Sequence, residues 1–157
     1  MRVGVLSDTH NRLDLASMAI KQMGSIEVLL HAGDLYHDVF RLALPLEVQV
    51  VAVRGNSDYG EDGPVEKVLE LIGHKILLTH GHLYRVKHAY QKLLDRAQKL
   101  QVKAVVFGHT HLVKNIIEED ILLFNPGSIS FPMGGGKPSY GVLQIDSDEI
   151  RGEIFYL

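Results

Sequence analysis

Five short apolar runs, each followed at once by a cluster of acids, amides or imidazoles, constrain this chain more tightly than any other feature of it. The runs are Arg2–Leu6, Ile26–His31, Val48–Val53, Lys75–Thr79 and Lys103–Phe107, rich in Val, Ile and Leu. Near-continuous rather than alternating hydrophobicity predicts strands buried on both faces. Between them, Leu13–Met23 and Val86–Leu100 carry apolar residues at three- and four-residue spacing among good helix formers, and Val39–Leu44 reads as a shorter helix. Strand–helix alternation predicts an α/β sheet.

The last third changes character. Val113–Glu118 and Ile121–Phe124 flank the turn Glu119-Asp120, and Tyr140–Ile145 and Glu149–Tyr156 flank Asp146-Ser147-Asp148, which reads as two hairpins. Pro64–Leu71, ahead of the Gly73-His74 turn, reads as a strand paired with Lys75–Thr79, so a second, more antiparallel sheet is expected. With 157 residues and no repeat or linker, residues 1–157 read as one domain.

Charge and composition remove several function classes. The net charge is −3, tryptophan is absent, and Lys87, Lys92, Arg96, Lys99 and Lys103 are spread along a helix face and its exit, so a long nucleic-acid partner is not expected. No apolar run approaches the roughly 18 residues that span a bilayer, and the apolar stretch at Met1–Leu6 is too short for a secretion signal. A cytoplasmic protein without membrane partners is expected. With no cysteine, any metal must be held by nitrogen and oxygen.

The chemistry is concentrated at strand ends: Ser7-Asp8-Thr9-His10, Ala32-Gly33-Asp34, Gly55-Asn56, Thr79-His80-Gly81-His82 and Gly108-His109-Thr110-His111. In an open α/β sheet the C-terminal strand ends line one crevice, so these segments are expected to converge there. The converging donors, two carboxylates, one amide and several imidazoles, suit Mn, Fe, Zn, Co or Ni. One cation rarely needs seven donors, whereas two cations about 3.5–4 Å apart do. Each residue alone has a plainer reading: an Asp after a strand is commonly a helix cap, and lone histidines such as His31, His37, His74 and His88 are commonly structural. Their joint occurrence is what points to a site. Gly134-Gly135-Gly136-Lys137 lacks the upstream glycine, the following Ser or Thr and the helix of a phosphate loop, and reads as a turn.

Taken in order, Asp8-x-His10, Gly33-Asp34, Gly55-Asn56, His80 and Gly108-His109-x-His111 resemble the calcineurin-like metallophosphoesterase superfamily. The length, Val53-Arg54-Gly55-Asn56-Ser57-Asp58, His80-Gly81-His82 and Asn125-Pro126-Gly127-Ser128 look most like its small bacterial and archaeal phosphodiesterases. That resemblance implies a four-layer α/β/β/α sandwich of two mixed sheets flanked by helices. It implies one divalent metal on Asp8, His10, Asp34 and His111 and another on Asp34, Asn56, His80 and His109, manganese being the first choice. Asp34 would bridge, and a hydroxide between the metals would be the nucleophile. Asn56 would also donate its amide NH2 to a substrate phosphate. Many members carry His directly after the Asn as leaving-group acid, whereas this chain has Ser57, so esters with acidic leaving groups are expected to be favoured. His82 is the candidate substitute acid. Asn125 and Ser128 are candidate substrate contacts, and Arg54 a candidate partner of Asp58 or of an anionic substrate.

The resulting reading is a dinuclear phosphodiesterase acting on small phosphodiesters, and on phosphomonoesters as a second substrate class. The alternative is a non-catalytic protein-binding scaffold of the retromer-subunit type. Leu42, Leu44 and Phe131 are candidates either for the core or for the contact surface of a homo-oligomer.

Overall fold

The computed structural model describes residues 1–157. Its strands are β1 (Arg2–Leu6), β2 (Val28–His31), β3 (Gln49–Ala52), β4 (Glu66–Leu71), β5 (His74–Thr79), β6 (Ala104–Val106), β7 (Val113–Glu118), β8 (Ile121–Pro126), β9 (Ser139–Ile145) and β10 (Ile150–Tyr156). Two α-helices, α1 (Leu13–Met23) and α2 (Gln91–Leu100), and 3-10 turns at Tyr36–Arg41 and His82–Tyr84 complete it. No helix is long and apolar enough to cross a membrane.

The strands form two five-stranded mixed sheets, in the orders β10-β9-β1-β2-β3 and β4-β5-β6-β8-β7. In the first, β1, β2 and β3 are parallel and the β9–β10 hairpin is added antiparallel to β1. In the second, β5, β6 and β8 are parallel, with β4 and β7 as antiparallel edges. The five apolar runs are therefore divided between two sheets rather than sharing one. The reason is steric economy: each parallel strand has two apolar faces, and both must be covered.

Side-chain alternation shows how. Val3, Val5, Val28 and Leu30 meet Ile76, Leu78, Val106 and Phe124 in a core between the sheets. Leu6 and Leu29 face Ala16, Ala19 and Met23 of α1, while Leu77, Val105 and Leu123 face Leu93, Leu94 and Ala97 of α2. The layers are helix, sheet, sheet, helix, the metallo-dependent phosphatase arrangement.

Two helix expectations are corrected. The predicted helix Val39–Leu44 is the 3-10 turn Tyr36–Arg41. Asp38 is drawn to the Thr9 hydroxyl and the Asn11 amide, and Pro45 keeps Leu44 out of the helical region. The predicted helix start at Val86 moves to Gln91. Arg85 has φ 55°, and the buried Val86 anchors the connecting segment near Gly81 instead of starting a helix. Leu42 is buried and Leu44 packs against the α1 core, so of the three apolar candidates Phe131 alone is surface, 60% exposed.

Candidate metal centre

Every sequence-predicted ligand lies just beyond a C-terminal strand end: Asp8 and His10 after β1, Asp34 after β2, Asn56 after β3, His80 after β5, His109 and His111 after β6. Because both sheets end their parallel strands at the same end of the sandwich, the segments meet across the gap between sheets. Asp8, His10, Asp34, His109 and His111 all have left-handed backbone, φ 41–67°. Asp and His tolerate this region better than most side chains, and such strain gathers at functional sites. Two glycines permit the close approach: a Cβ on Gly55 would stand 2.0 Å from Asp34 Oδ1, and one on Gly108 would stand 1.9 Å from Ser7 Oγ.

One donor atom from each of Asp8, His10, Asp34 and His111 falls within 4.8 Å of the others, enough to hold a cation. His111 Nε2 is 3.0 Å from Asp8 Oδ1, and His10 Nε2 is 3.5 Å from Asp34 Oδ2. On the other side of Asp34, His80 Nε2 lies 3.3 Å from Oδ1 and 3.2 Å from Asn56 Oδ1. The His109 ring packs edge-on to that of His80, centroids 5.0 Å apart.

The hydrogen bonds behind the rings fix which nitrogen faces the centre. His80 Nδ1 is 2.8 Å from the Ala32 carbonyl and His111 Nδ1 is 2.7 Å from the Phe131 carbonyl. A carbonyl only accepts, so each Nδ1 carries its hydrogen, and in the neutral ring Nε2 presents a lone pair. Those lone pairs point at carboxylate oxygens, and Asp8 Oδ1, wholly buried, has no aligned hydrogen-bond donor. Acceptor facing acceptor in a buried site calls for a positive charge between them, supplied by a proton or a metal ion. Burial pulls the Asp8 carboxyl up, but the His111 and His80 imidazoles outweigh it and hold the group below its usual range. His111 is correspondingly raised by Asp8. His109, depressed to about 4 by burial, His80 and Lys87, stays neutral with its donor pair available. The residues present fit divalent cations.

A family model, the calcineurin-like phosphoesterase superfamily domain, matches residues 1–148. The chain belongs to that superfamily. It is 31% identical to the probable metallophosphoesterase YsnB of Bacillus subtilis, over 94% of this chain and 86% of that one. It is 32% identical to the phosphodiesterase YfcE of Escherichia coli, over 93% and 89% respectively. A solved structure of a predicted phosphoesterase from Streptococcus pneumoniae superposes with a TM-score of 0.81 at 31% identity, covering 99% of this chain and 88% of that one. The Vps29 structure from Chaetomium thermophilum superposes equally well, TM-score 0.81 over 100% and 87%, but at 21% identity it speaks for the fold alone. As a calcineurin-like phosphoesterase, the chain is a metal-dependent phosphoester hydrolase.

Some residues of this phosphoesterase do other work than their motifs suggest. Arg54 does not pair with Asp58; its guanidinium donates to the Gly63 and Glu61 carbonyls, both at 2.6 Å. Asp58 instead accepts from the Gly55 and Tyr36 amides, tying the β3 exit to the segment after Asp34. Asn125, a candidate substrate contact, is fully buried, with both ends of its amide engaged within the protein. Its amide donates to the Gly108 carbonyl and Thr110 hydroxyl and accepts from the Gly127 amide, which braces the loop carrying His109 and His111. Ser128, also fully buried, donates to the Asp8 carbonyl at 3.2 Å. His82 is half-buried, its ring 5.4 Å from that of His80, and its buried Nδ1 has no protein partner. Burial, then His80, lowers its pKa.

Sequence reasoning missed the support beneath Asp8 and Asp34. The Gly33 amide donates to His31 Nδ1, so His31 Nε2 donates to Thr9 Oγ1, which in turn donates to Asp38 at 2.7 Å. This buried chain locks the Thr9 turn against β2. Of the other unassigned histidines, His37 pairs with Glu61 and His74 bonds the Asp146 carbonyl.

Proposed function

We propose that the chain is a dinuclear phosphodiesterase of one domain, residues 1–157, acting on small phosphodiesters. Asp8, His10, Asp34 and His111 would hold one divalent cation; Asp34, Asn56, His80 and His109 would hold the other. The observation that carries this reading is the position of Asp34, whose Oδ2 faces His10 at 3.5 Å while Oδ1 faces His80 at 3.3 Å. One carboxylate addressing two imidazole groups with different oxygens is the arrangement of a bridging ligand.

When bound, two such cations supply Lewis acidity toward the phosphoryl oxygens and a water of lowered pKa as nucleophile. The protein's part is to fix the donors. Asp34 is steered by the Ser57 amide at 2.9 Å, and Asp8 by the Ser7 hydroxyl at 2.5 Å. Asn56, exposed at the rim, is placed to give an amide hydrogen to a non-bridging phosphate oxygen. Water oxygen bonds to phosphorus, the bond from phosphorus to one alcohol oxygen breaks, and that oxygen takes a proton. His82, whose ring lies 5.4 Å from that of His80, is the residue we assign to that proton; its lowered pKa makes this assistance strongest toward acid pH. Alcohols that leave as stable anions need it least.

The test is hydrolysis of bis-nitrophenyl phosphate and nitrophenyl phosphate by metal-stripped protein resupplied with Mn, Ni, Zn or Mg, with His109→Ala alongside and metal counted per chain. Diester turnover that needs a transition metal and two metals per chain are expected of the wild type, with turnover lost and the metal count lowered in the variant. Two metals bound with no turnover on any ester would overturn the reading in favour of a scaffold.

A further inference from the structure

A cavity of about 370 Å³ opens beside the centre and shares His109 and His111 with it. Its remaining walls are apolar, Val86, Tyr90, Leu112 and Met133, with Lys87 as the one charged side chain. Thr110, which also lines it, has its hydroxyl committed to the Leu112 carbonyl and the Asn125 amide and offers little to an occupant. Leu112 is 51% and Met133 57% exposed, and Phe131, two residues before Met133 and 60% exposed, lies against the His10 ring, centroids 5.4 Å apart. Three large apolar side chains left in water around one polar centre mark a binding surface rather than a folding requirement.

We propose that this cavity is the subsite for one organic group of the substrate, and that it selects a ring-sized apolar group over a short alkyl one. The proposal rests on the phosphodiesterase reading and narrows its substrate class. Four of the eight lining residues are hydrophobic, and the volume lies near the lower end of the roughly 300–1,000 Å³ of ligand pockets, which suits a compact apolar group better than a strongly hydrated one. Lys87 is exposed and lines the same cavity as His109 and His111. It is placed to meet the anionic oxygen of a phosphoryl group whose organic arm lies in the cavity. Met133 reaches the cavity from the segment leading into the glycine run Gly134-Gly135-Gly136, and its amide is held to the His111 carbonyl at 3.1 Å.

The test is calorimetric binding of phenylphosphonate and methylphosphonate to the Mn-resupplied protein, which needs no turnover. Wild type is expected to bind the phenyl compound at least tenfold more tightly, with that ratio falling toward one in both Leu112→Ser and Met133→Ala. It should persist in Leu46→Ser, a fully exposed residue remote from the cavity. Lys87→Ala should weaken both compounds alike. Equal affinities in wild type, or a ratio that survives both cavity variants, would overturn the proposal. Because the readout is binding, a protein with the ratio intact but no esterase activity would sink the hydrolase reading and leave the cavity assignment standing.

Discussion

The two sheets contribute different chemistry to the centre. The sheet built on β1, β2 and β3 supplies both carboxylates, with His10 and Asn56, whereas the sheet built on β5 and β6 supplies only imidazoles. Their supports differ in kind. Asp8 and Asp34 are held by donors, the Ser7 hydroxyl, the His109 amide and the Ser57 amide. His80 and His111 are held by carbonyl acceptors at Nδ1. Donors aim a carboxylate and acceptors fix which imidazole nitrogen faces the centre, so each sheet supports the kind of side chain it presents. The cross-bonds matter as much: Asp8 N to Gly33 O lies within the carboxylate sheet, but His80 Nδ1 to Ala32 O and Ser128 Oγ to Asp8 O span the two.

Removing Asp34, the carboxylate proposed to bridge, should break this division most severely. Asp34→Asn is expected to lose both metals together and to cut diester turnover by more than the roughly 10–100-fold typical of supporting residues, checked by metal count and kcat/KM. Gly55→Ala comes next, because its methyl would displace the Asp34 carboxylate; a loss of roughly tenfold to a hundredfold with a lowered Tm is expected, and an unchanged rate would show that the carboxylate can move freely.

Asn125→Ala sharpens the comparison, since it touches the imidazole sheet alone. It strands the Gly127 amide and loosens the Gly108–His111 loop, at about 2–3 kcal/mol of stability and a roughly tenfold loss of activity. Its effect on metal content should be partial, in contrast to Asp34→Asn. His82→Ala should be milder on nitrophenyl esters than on alkyl esters, and a linear free-energy plot against leaving-group pKa should steepen. A slope identical to that of wild type would remove His82 from the proton step.

The smallest effect lies at the sheet edge. Burial raises the Glu66 carboxyl, but the Arg96 guanidinium and Tyr84 hydroxyl bonded to it outweigh burial and leave it below its usual value. With the folded value below the unfolded one near 4.5, the stabilisation is present above that pH and is lost as pH falls through the folded value. Glu66→Gln should cost at most about 1 kcal/mol at neutral pH, after allowance for solvent screening, and nothing in strong acid, by urea midpoints at each pH.

The convergence of these side chains was legible in the sequence because each follows closely on an apolar run, and strand ends in such folds share one end of the molecule. Asp8 and His111 are far apart in the chain yet needed no contact information to be grouped. What was illegible has a common cause. Asn125 and Ser128 act on Gly108 and Asp8 through hydrogen bonds to backbone, which leave no residue-type signal at the far end. The His31–Thr9–Asp38 chain is hidden for the same reason, since a buried polar trio reads residue by residue as unremarkable. The division of strands between two sheets was implied by the family resemblance and by the antiparallel edge read at Pro64–Leu71, whereas periodicity alone favoured a single crevice.

The left-handed backbone at Asp8, His10, Asp34, His109 and His111 has a consequence for how this centre can change over generations. At these positions the main chain filters substitutions before the metal does. Valine, isoleucine and threonine are penalised sterically there, while Asn, Asp, His and Gly are admitted cheaply. Mutational drift is thereby steered toward residues that either ligate or vanish, so the cluster trades one donor for another far more easily than it fills with bulk.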